Sequence, residues 1–468
     1  MENADIGLIG LGTMGSNLSL NIAEKGHRIA VFNRTRSRTD DFMANAGELR
    51  DRIVPCYSIA DLAAAIRPPR PVIVMVQAGK PVDEQIELLK PVLSEGDIII
   101  DAGNANFHDT VRRFSELAGT GLTFIGMGVS GGEEGARHGP SIMVGGTRES
   151  HARVEDVLTA ISAKYEGEPC CAWLGEGGAG HFVKTIHNGI EYADMQMIAE
   201  IYGVLRDGFG MEPKAIGDVF ATWNKGRLNS YLIEITAKVL AADDPKTGKP
   251  VVEIILDRAG QKGTGRWSVI EAQTLGIPAT AIEAAVAARV ISGMKDERLA
   301  AEKVYGGPGR ITSYGALIPD LELALFAGKI AAYAQGFAVM AGASKEFGWG
   351  LPLATIAKIW RAGCIIRSQF LGTLAAAFEE SASAPNLLMA PAFIEMMKEA
   401  HPALRRVVAR AMEAGLPMPA LSSALAYFDG YRQGRGTSNL IQAQRDFFGA
   451  HGFERIDAEG AHHGPWGN

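Results

Sequence analysis

The stretch GAGHFVKTIHNGIEY carries four polar side chains at helical spacing. They are Lys184, His187, Asn188 and Glu191, at positions i, i+3, i+4 and i+7. Residues at these intervals share one side of an α-helix. The opposite side is apolar and consists of Val183, Ile186, Ile190, Ala193 and Met197. The stretch therefore predicts a helix with one reactive and one apolar face.

A lysine and a carboxylate in one row suit a reaction that moves protons. Lys184 serves first as a base and then as an acid if burial and its neighbours lower its pKa towards neutrality. Glu191 lies roughly 10 Å further along the axis, at ~1.5 Å per residue, so it would reach a different atom of the same substrate. His187 and Asn188 would hold that substrate by neutral hydrogen bonds. The ordinary alternative is a solvated helix face.

A glycine-rich turn follows the first strand pattern of the chain. GLGTMG comes directly after DIGLIG and opens a helical pattern, which is the context of a dinucleotide-binding turn. The glycines allow a tight turn and let the backbone approach a pyrophosphate at a helix N-terminus. The residues predicted to bind the cofactor here are Gly10, Leu11, Gly12, Thr13, Met14 and Gly15.

The end of the second strand pattern indicates which dinucleotide is bound. An NAD site usually has Asp or Glu at this position, which accepts a hydrogen bond from the ribose 2′-hydroxyl. This chain has Asn33, Arg34 and Thr35 instead, followed by Arg36 and Arg38. Guanidinium groups bind a 2′-phosphate by charge-assisted hydrogen bonds, whereas a carboxylate would repel it. The predicted cofactor is NADP.

The elements that position these residues fall into three segments. Residues 1–178 alternate short strand patterns with helical ones, including strands near 71–76, 97–101, 122–129 and 140–146, which predicts an α/β Rossmann-like domain with a largely parallel sheet. Residues 179–433 read as a large all-α domain. The C-terminal tail, residues 434–468, is polar, aromatic and glycine-rich, and it has no core of its own.

Composition excludes several other classes of protein. The chain has 468 residues, a net charge of −7 and no basic bias, which argues against a general nucleic-acid binder. No unbroken apolar run reaches the ~18 residues of a membrane helix, and the N-terminus is not a signal peptide, so a cytoplasmic protein is expected. Four cysteines give no disulfide framework. His462 and His463 have no companion ligands, and no metal is predicted.

Several motifs together resemble the 6-phosphogluconate dehydrogenase family, and they span nearly the whole chain. They include GLIGLGTMGSNL, FNRT, DAGN, GVSGGEEGARHGPSIM, GAGHFVKTIHNGIEYADMQ, WNKGRLNSYLIEIT, AGQKGTG, GCIIRS and NLIQAQRDFFGAH. The resemblance implies oxidative decarboxylation of 6-phosphogluconate to ribulose 5-phosphate, with NADP as the oxidant. It also implies that Lys184 is the general base and acid and that Glu191 is the second acid.

The resemblance assigns further residues to the substrate and the cofactor. Contacts with the sugar acid fall on Asn104, Ser130, Gly131, Gly132, His187, Asn188 and Tyr192. The phosphate and adjoining hydroxyls fall to Lys262, Thr264 and Arg289, and the glycine-rich composition of GQKGTGRW also suits a phosphate. Arg445 and His451 match tail residues that the family inserts into the neighbouring subunit's site, which implies a homodimer. Further cofactor contacts are Val76, Gln77, Ala78 and Asn104.

The chain departs from the family pattern at three positions near these motifs. Gln77 replaces a frequent lysine beside the cofactor, Ala105 replaces a usual serine, and Val144 replaces a common proline. None of them touches the proposed acid–base pair. Two alternatives remain: another β-hydroxyacid dehydrogenase that does not decarboxylate, and a non-catalytic NADP-binding sensor. A sensor would not need Lys184 and Glu191 on one face.

Overall fold

Eight strands in the N-terminal part form one sheet. The computed structural model describes residues 3–311, 317–380 and 386–466. The strands of the sheet are β1 (Ile6–Ile9), β2 (Ile29–Phe32), β3 (Ile53–Cys56), β4 (Pro71–Val74), β5 (Ile98–Asp101), β6 (Thr123–Ser130), β7 (Ser141–Val144) and β10 (Cys171–Trp173). They lie side by side in the order β10-β7-β6-β5-β4-β1-β2-β3. A separate small hairpin consists of β8 (Lys164–Tyr165) and β9 (Glu168–Pro169).

The sheet is parallel except at one pairing. β7 runs antiparallel to β6, with Met127 opposite Val144, and all other neighbours are parallel. Strands buried on both faces need continuous apolar runs, and β1, β4 and β5 are buried throughout. The predicted largely parallel sheet is therefore confirmed. β3 was not predicted, because Pro55 interrupts its short pattern.

Helices cover both faces of this sheet and bury an apolar cluster on each face. These helices are α1 (Thr13–Glu24), α2 (Arg36–Ala44), α3 (Ile59–Ala65), α4 (Lys80–Leu89), α5 (Phe107–Leu117), α6 (Gly132–His138), α7 (Arg148–Ala152) and α8 (Glu155–Ile161). The arrangement is that of a doubly wound α/β domain, as the alternation of patterns predicts.

The chain then becomes helical, and a single large apolar cluster forms the core of the second part. Its helices are α9 (Ala179–Gly203), α10 (Pro213–Trp223), α11 (Tyr231–Ala241), α12 (Val251–Ile254), α13 (Thr264–Thr274), α14 (Thr280–Gly293), α15 (Lys295–Tyr305), α16 (Ile318–Phe347), α17 (Leu353–Ile359), α18 (Phe370–Glu380), α19 (Pro391–Glu413) and α20 (Pro419–Tyr431). The predicted fold class, a Rossmann-like domain followed by a large helical domain, is confirmed.

Helix α9 is packed against both parts of the molecule. Near its start, Gly180 lies so close to the sheet that a Cβ there would be 2.5 Å from the backbone nitrogen of Gly145. Further along, Asp194 forms a buried ion pair with Lys329 of α16, at 2.5 Å. Removing one partner of such a pair would leave an uncompensated buried charge. The 25-residue helix is therefore held by the sheet at one end and by the helical core at the other.

Among the described helices, α16 alone is long and apolar enough to cross a membrane. Its most apolar stretch has a mean hydropathy of 1.4, but 89% of that stretch is buried inside the protein. The helix is thus the central element of the helical core.

The tail folds into a helix and a small hairpin, which sequence analysis did not predict. α21 (Ser438–Gly449) is followed by β11 (Phe453–Glu454) and β12 (Ala461–His462), which pair antiparallel. Several large apolar side chains of this segment are exposed, namely Leu440, Ile441, Phe447, Phe448, Ile456 and Trp466. The tail has local structure but leaves most of its apolar surface uncovered.

Candidate active site

Lys184 of α9 is buried in a polar cluster at the end of β6. Its Nζ donates to Oδ1 of Asn188 at 2.6 Å and to Oγ of Ser130 at 3.3 Å, and it lies 3.4 Å from Nδ1 of His187. The residue is only 6% exposed. A helix and a strand end thus converge on one amine.

His187 links the same groups from the other side. Its Nε2 lies 3.3 Å from Oγ of Ser130, and its Nδ1 lies 3.8 Å from Oε2 of Glu191. Burial and the nearby charge of Lys184 hold the pKa of His187 well below its usual value. The imidazole is therefore neutral and available as a hydrogen-bonding group.

The acid–base pair is electrostatically perturbed in both members. Burial lowers the pKa of Lys184, opposed by the nearby carboxylate of Glu191. Burial also raises the pKa of Glu191, opposed by the charges of Lys184 and Arg289. Both shifts favour an uncharged amine and a protonated carboxyl group, which are the forms that a base and an acid require. The alternative of a solvated helix face is wrong, because Lys184, His187 and Asn188 are all buried.

Gly128 of β6 makes room for the lysine. A methyl group on Gly128 would lie 2.5 Å from Cβ of Lys184, far inside van der Waals contact. We expect Gly128→Ala to displace the amine and lower kcat by roughly 10²-fold, the effect of a misplacement of about 1 Å. Binding of the dinucleotide, measured by fluorescence titration, should change little.

The matched control for this change is Gly203→Ala at the end of the same helix. A methyl group there has no heavy atom within 4 Å, so its kcat should stay at the wild-type value. If Gly128→Ala kept full activity, the close fit between strand and lysine would have no importance for catalysis.

A second cluster forms where α13 and α14 meet the far end of the catalytic row. The guanidinium carbon of Arg289 lies 3.5 Å from the centre of the Tyr192 ring, and Gly265 lies against the same ring. Thr264 is buried at the start of α13, directly after Gly263 with φ +95°. Lys262 is exposed beside it. A helix N-terminus with two nearby cations is a suitable phosphate site.

Two loops at the carboxyl edge of the sheet complete the space around the cluster. Ser130 ends β6, and Gly131 follows with φ +120°; Gly132 is exposed. Asn104 is exposed on the loop after β5. Asn104 and Ser130 thus lie at or just after the ends of two adjacent parallel strands, and Ser130 contacts Lys184 and His187 directly.

The glycine-rich turn fits a dinucleotide. A Cβ on Gly10 would lie 2.3 Å from the carbonyl oxygen of Met75, and one on Gly15 would lie 1.9 Å from that of Gly10, so only glycine fits at both positions. Gly12 has no heavy atom within 4 Å of its Cβ position and is exposed. The turn therefore leaves open space for a pyrophosphate at the start of α1.

The residues at the end of β2 have two different roles: one stabilises the glycine-rich turn, and others have side chains that are free to bind a ligand. Asn33 accepts a hydrogen bond from the backbone nitrogen of Leu11 at 3.0 Å, which ties the turn to this strand. Arg34 and Arg38 are exposed, and their guanidinium groups have no partner among the residues that the structure describes. Arg36 instead stacks on Tyr57. Two unpaired cations are thus free to meet a phosphate.

Arg113, which sequence analysis missed, connects two loops of the predicted cofactor site. It is buried on α5 and donates to Asp83 at 2.7 Å, to Asp101 at 3.2 Å and to the carbonyl oxygen of Gly79 at 2.9 Å. The loop after β4, with Val76, Gln77 and Ala78, is thereby fixed next to the end of β5. No sequence pattern points to Arg113, whereas the glycines alternating along β6 do indicate the close approach at Gly128.

Among the described residues of one chain, Arg445 and His451 make no contact with the cluster around Lys184. Both are exposed in the tail. Within the described part of the chain, every side-chain hydrogen bond of residues 434–466 stays inside that segment. No group of three or more His, Cys, Asp or Glu side chains among the described residues is arranged to hold a metal ion.

Comparison with known proteins covers almost the whole chain. Residues 5–175 match the NAD binding domain of 6-phosphogluconate dehydrogenase, and residues 180–466 match the C-terminal domain of 6-phosphogluconate dehydrogenase.

Two relatives from Bacillus subtilis (strain 168) differ in cofactor. A 6-phosphogluconate dehydrogenase named NAD(+)-dependent and decarboxylating is 47% identical over 464 residues, 98% of this chain and 99% of its own. One named NADP(+)-dependent and decarboxylating is 48% identical over 469 residues, 100% of both chains.

A solved structure shares the complete fold. Plasmodium falciparum 6-phosphogluconate dehydrogenase, described in its apo form, with its cofactor NADP+ and with its substrate 6-phosphogluconate, matches with a TM-score of 0.96. The sequence identity is 41%, and the match covers 99% of this chain and 100% of that one.

Proposed function

The chain belongs to the 6-phosphogluconate dehydrogenase family, and we propose that it converts 6-phosphogluconate to ribulose 5-phosphate and carbon dioxide with reduction of NADP. The observation that carries this proposal is the row from Lys184, which is buried, to Glu191, which is half-buried. The row ends next to Tyr192 and Arg289 on one side and meets Ser130 of the N-terminal domain on the other. It provides the two proton-transfer groups that an oxidative decarboxylation needs.

The first half of the reaction uses Lys184 twice. Bound NADP would supply the hydride acceptor at the carbon that bears the reacting hydroxyl. Neutral Lys184 takes the proton of the C3 hydroxyl as that carbon is oxidised. The product is a β-keto acid. The protonated lysine then returns its proton to the C3 oxygen while the bond to C1 breaks and carbon dioxide leaves.

The second half uses Glu191. The enediol left after loss of carbon dioxide needs a proton at carbon. Protonated Glu191, whose pKa is raised by burial, supplies this proton, and the enediol hydroxyl returns its own proton to Lys184. Ser130, His187 and Asn188 hold the lysine and the sugar acid in position. Lys262, Thr264 and Arg289 are proposed to bind the phosphate.

The test is incubation of the purified protein with 6-phosphogluconate and NADP. Absorbance of the reduced nicotinamide and release of carbon dioxide should rise together in equal amounts. Reduction without carbon dioxide would instead support a β-hydroxyacid dehydrogenase that does not decarboxylate.

The cofactor preference is proposed to be for NADP, supported by the unpaired guanidinium groups of Arg34 and Arg38. The proposed contacts are the turn residues 10–15, the end of β2 at Asn33, Arg34, Thr35 and Arg38, and the loops with Val76, Gln77, Ala78 and Asn104. An NAD(+)-dependent and an NADP(+)-dependent relative have nearly the same sequence identity to this chain. Overall identity therefore does not distinguish NADP from NAD, and the preference depends on the residues that would contact the 2′-phosphate.

We expect Arg34→Ala to weaken binding of NADP much more than binding of NAD. The lost charge-assisted hydrogen bond should cost ~1.5–3 kcal/mol, or roughly 10- to 150-fold in the dissociation constant of NADP. Dissociation constants for both cofactors can be compared by fluorescence titration. Arg36→Ala is the matched control, because Arg36 is already stacked on Tyr57. An equal loss for both cofactors would show that Arg34 does not bind the 2′-phosphate.

We also infer an organisation into a cofactor domain at 1–178, a substrate domain at 179–433 and a tail at 434–468. The tail is proposed to complete the partner subunit's active site in a homodimer, with Arg445 and His451 at the phosphate end. Support comes from the exposed aromatic side chains of α21 and from hydrogen bonding that stays within the tail. A cytoplasmic location stays a prediction.

A further inference from the structure

A buried carboxylate lies at the centre of the tail. Asp446 is 3% exposed, whereas Phe447 and Phe448, the next residues of α21, are 66% and 72% exposed. Burial of a carboxylate is costly unless hydrogen bonds compensate for the lost water. The partners of Asp446 therefore indicate what this side chain does.

Four donors surround the two oxygens of Asp446. Oδ1 accepts from the backbone nitrogen of Gly452 at 2.9 Å and from Nδ1 of His463 at 2.6 Å. Oδ2 accepts from the backbone nitrogen of Gly464 at 2.9 Å and from Nε1 of Trp466 at 2.6 Å. These bonds, first among them that from Gly464, hold the pKa of Asp446 well below its usual range. The carboxylate thus joins α21 to Gly452 and to residues 463–466.

The same bonds fix the backbone on the C-terminal side of His451. The nitrogen of Gly452 is held by Asp446, and its carbonyl oxygen accepts from Nε2 of Gln442 at 2.5 Å. The chain turns sharply here, since Ala450 and Gly452 have φ values of +50° and +72°. His451 thus lies in a turn whose last residue, Gly452, is held by two hydrogen bonds.

Arg445 is connected to the same turn through the side chain of Gln442. Its Nη1 donates to Oε1 of Gln442 at 3.0 Å, so one amide side chain contacts both the guanidinium and the turn. Asp446 and Gln442 together set the positions of Arg445 and His451 relative to each other. Residues 434–466, the described part of the tail, bury no large apolar side chain that would do this instead.

We propose that Asp446 is a positioning residue for the reaction. It preorganises the tail so that Arg445 and His451 meet the substrate of the partner subunit as one rigid unit. The proposal rests on the proposed function of the site and adds what holds its tail-borne residues in place. A preformed tail loses less conformational entropy when substrate binds, so its cations bind more tightly.

Asp446→Asn is the sharpest change, made in the full chain. The amide keeps the size of the side chain but presents a donor to groups that are themselves donors. The KM for 6-phosphogluconate should rise by roughly 10- to 150-fold, the effect expected for a lost charged contact. The KM for NADP should stay within about twofold, because the cofactor domain is untouched. Backbone amides of residues 450–466 should exchange hydrogen faster.

Asp457→Asn is the matched control in the same segment. Asp457 is exposed, and its side chain is paired with that of Arg455 alone among the residues that the structure describes, so this variant should behave as wild type. A second comparison uses the Arg445→Ala background. There, Asp446→Asn should raise the KM for 6-phosphogluconate by a smaller factor than it does alone, because one of the two groups that it positions is already gone.

Three outcomes would overturn the proposal. One is an unchanged KM for 6-phosphogluconate in Asp446→Asn, and another is a full additional effect in the Arg445→Ala background. The third is unchanged hydrogen exchange of residues 450–466. Exchange is measured without turnover, so it tests the role of Asp446 even if the wild-type protein failed to oxidise 6-phosphogluconate, which would instead refute the proposed function.

Discussion

Lys184→Met is expected to abolish both hydride transfer from 6-phosphogluconate and decarboxylation of a supplied 3-keto intermediate. Methionine fills a similar volume but neither accepts nor donates the proton at the C3 oxygen. Loss of a positioned acid–base group typically costs ~10²–10⁴-fold in rate, and here one group serves two steps. Single-turnover absorbance would follow the first step, and release of carbon dioxide the second.

The corresponding change at the other end of the row should separate the steps. Glu191→Gln should leave hydride transfer relatively intact and slow protonation of the enediol, so that carbon dioxide appears before ribulose 5-phosphate. Since a raised pKa keeps Glu191 protonated, wild-type activity in this last step should fall as the pH rises above that pKa. The glutamine variant should lack this dependence.

A control for both variants is Lys345→Met, which changes an exposed lysine near the end of α16 and should have no effect. If Lys184→Met decarboxylated the 3-keto intermediate at the normal rate, Lys184 would have no role in the decarboxylation step. A glutamine variant that made product at the wild-type rate would remove Glu191 from its assigned role.

Mixing the inactive variant Lys184→Met with Arg445→Ala, which binds 6-phosphogluconate weakly, is expected to restore activity at a low concentration of 6-phosphogluconate when subunits exchange. If the tail completes the partner's site, each mixed dimer has one site with both residues intact. Random exchange of equal amounts would then give about a quarter of the wild-type sites. The measurement is the rate of NADP reduction before and after exchange, with mixed dimers quantified by a mass tag.

Two controls make this test decisive. Mixing Lys184→Met with Glu191→Gln should restore nothing, because both changes lie on the same helix and every site carries one of them. Deleting residues 440–468 should raise the KM for 6-phosphogluconate strongly and leave NADP binding intact, since a guanidinium–phosphate contact contributes ~1.5–3 kcal/mol. No recovery despite proven exchange would mean that the tail serves its own subunit.

Sequence patterns were sufficient to predict six of the eight strands of the sheet and the helical character of the region after them, because buried parallel strands and long helices have strong patterns. They also placed Lys184, His187, Asn188 and Glu191 on one face, since helical spacing alone determines that geometry. They could not show that this face is buried. Burial depends on Ser130 and Gly128, which come from a distant strand and meet α9 only in the folded chain.

The features that sequence analysis missed share one physical property. Arg113 and Asp446 are single charged residues whose partners are mostly distant or backbone groups, and such contacts leave no periodic signal. Sequence analysis predicted a tail without a core of its own, but it did not predict the hydrogen bonds to one carboxylate that hold the described part of the tail together. Patterns of hydrophobicity do not report that kind of order.

The anchoring of α9 at both ends has a consequence for how this active site tolerates change. Lys184 and Glu191 lie on the same α-helix, so the distance between them is set by the helix geometry and not by any loop. Substitutions between them alter only local contacts. One residue inserted between them would rotate the side chain of Glu191 by roughly 100° about the helix axis relative to that of Lys184. Because Gly180 packs against the sheet and Asp194 is paired with Lys329 of α16, neither end of α9 can turn to compensate for such a rotation. The chain length between these two residues is therefore under tighter constraint than the identity of most residues within it.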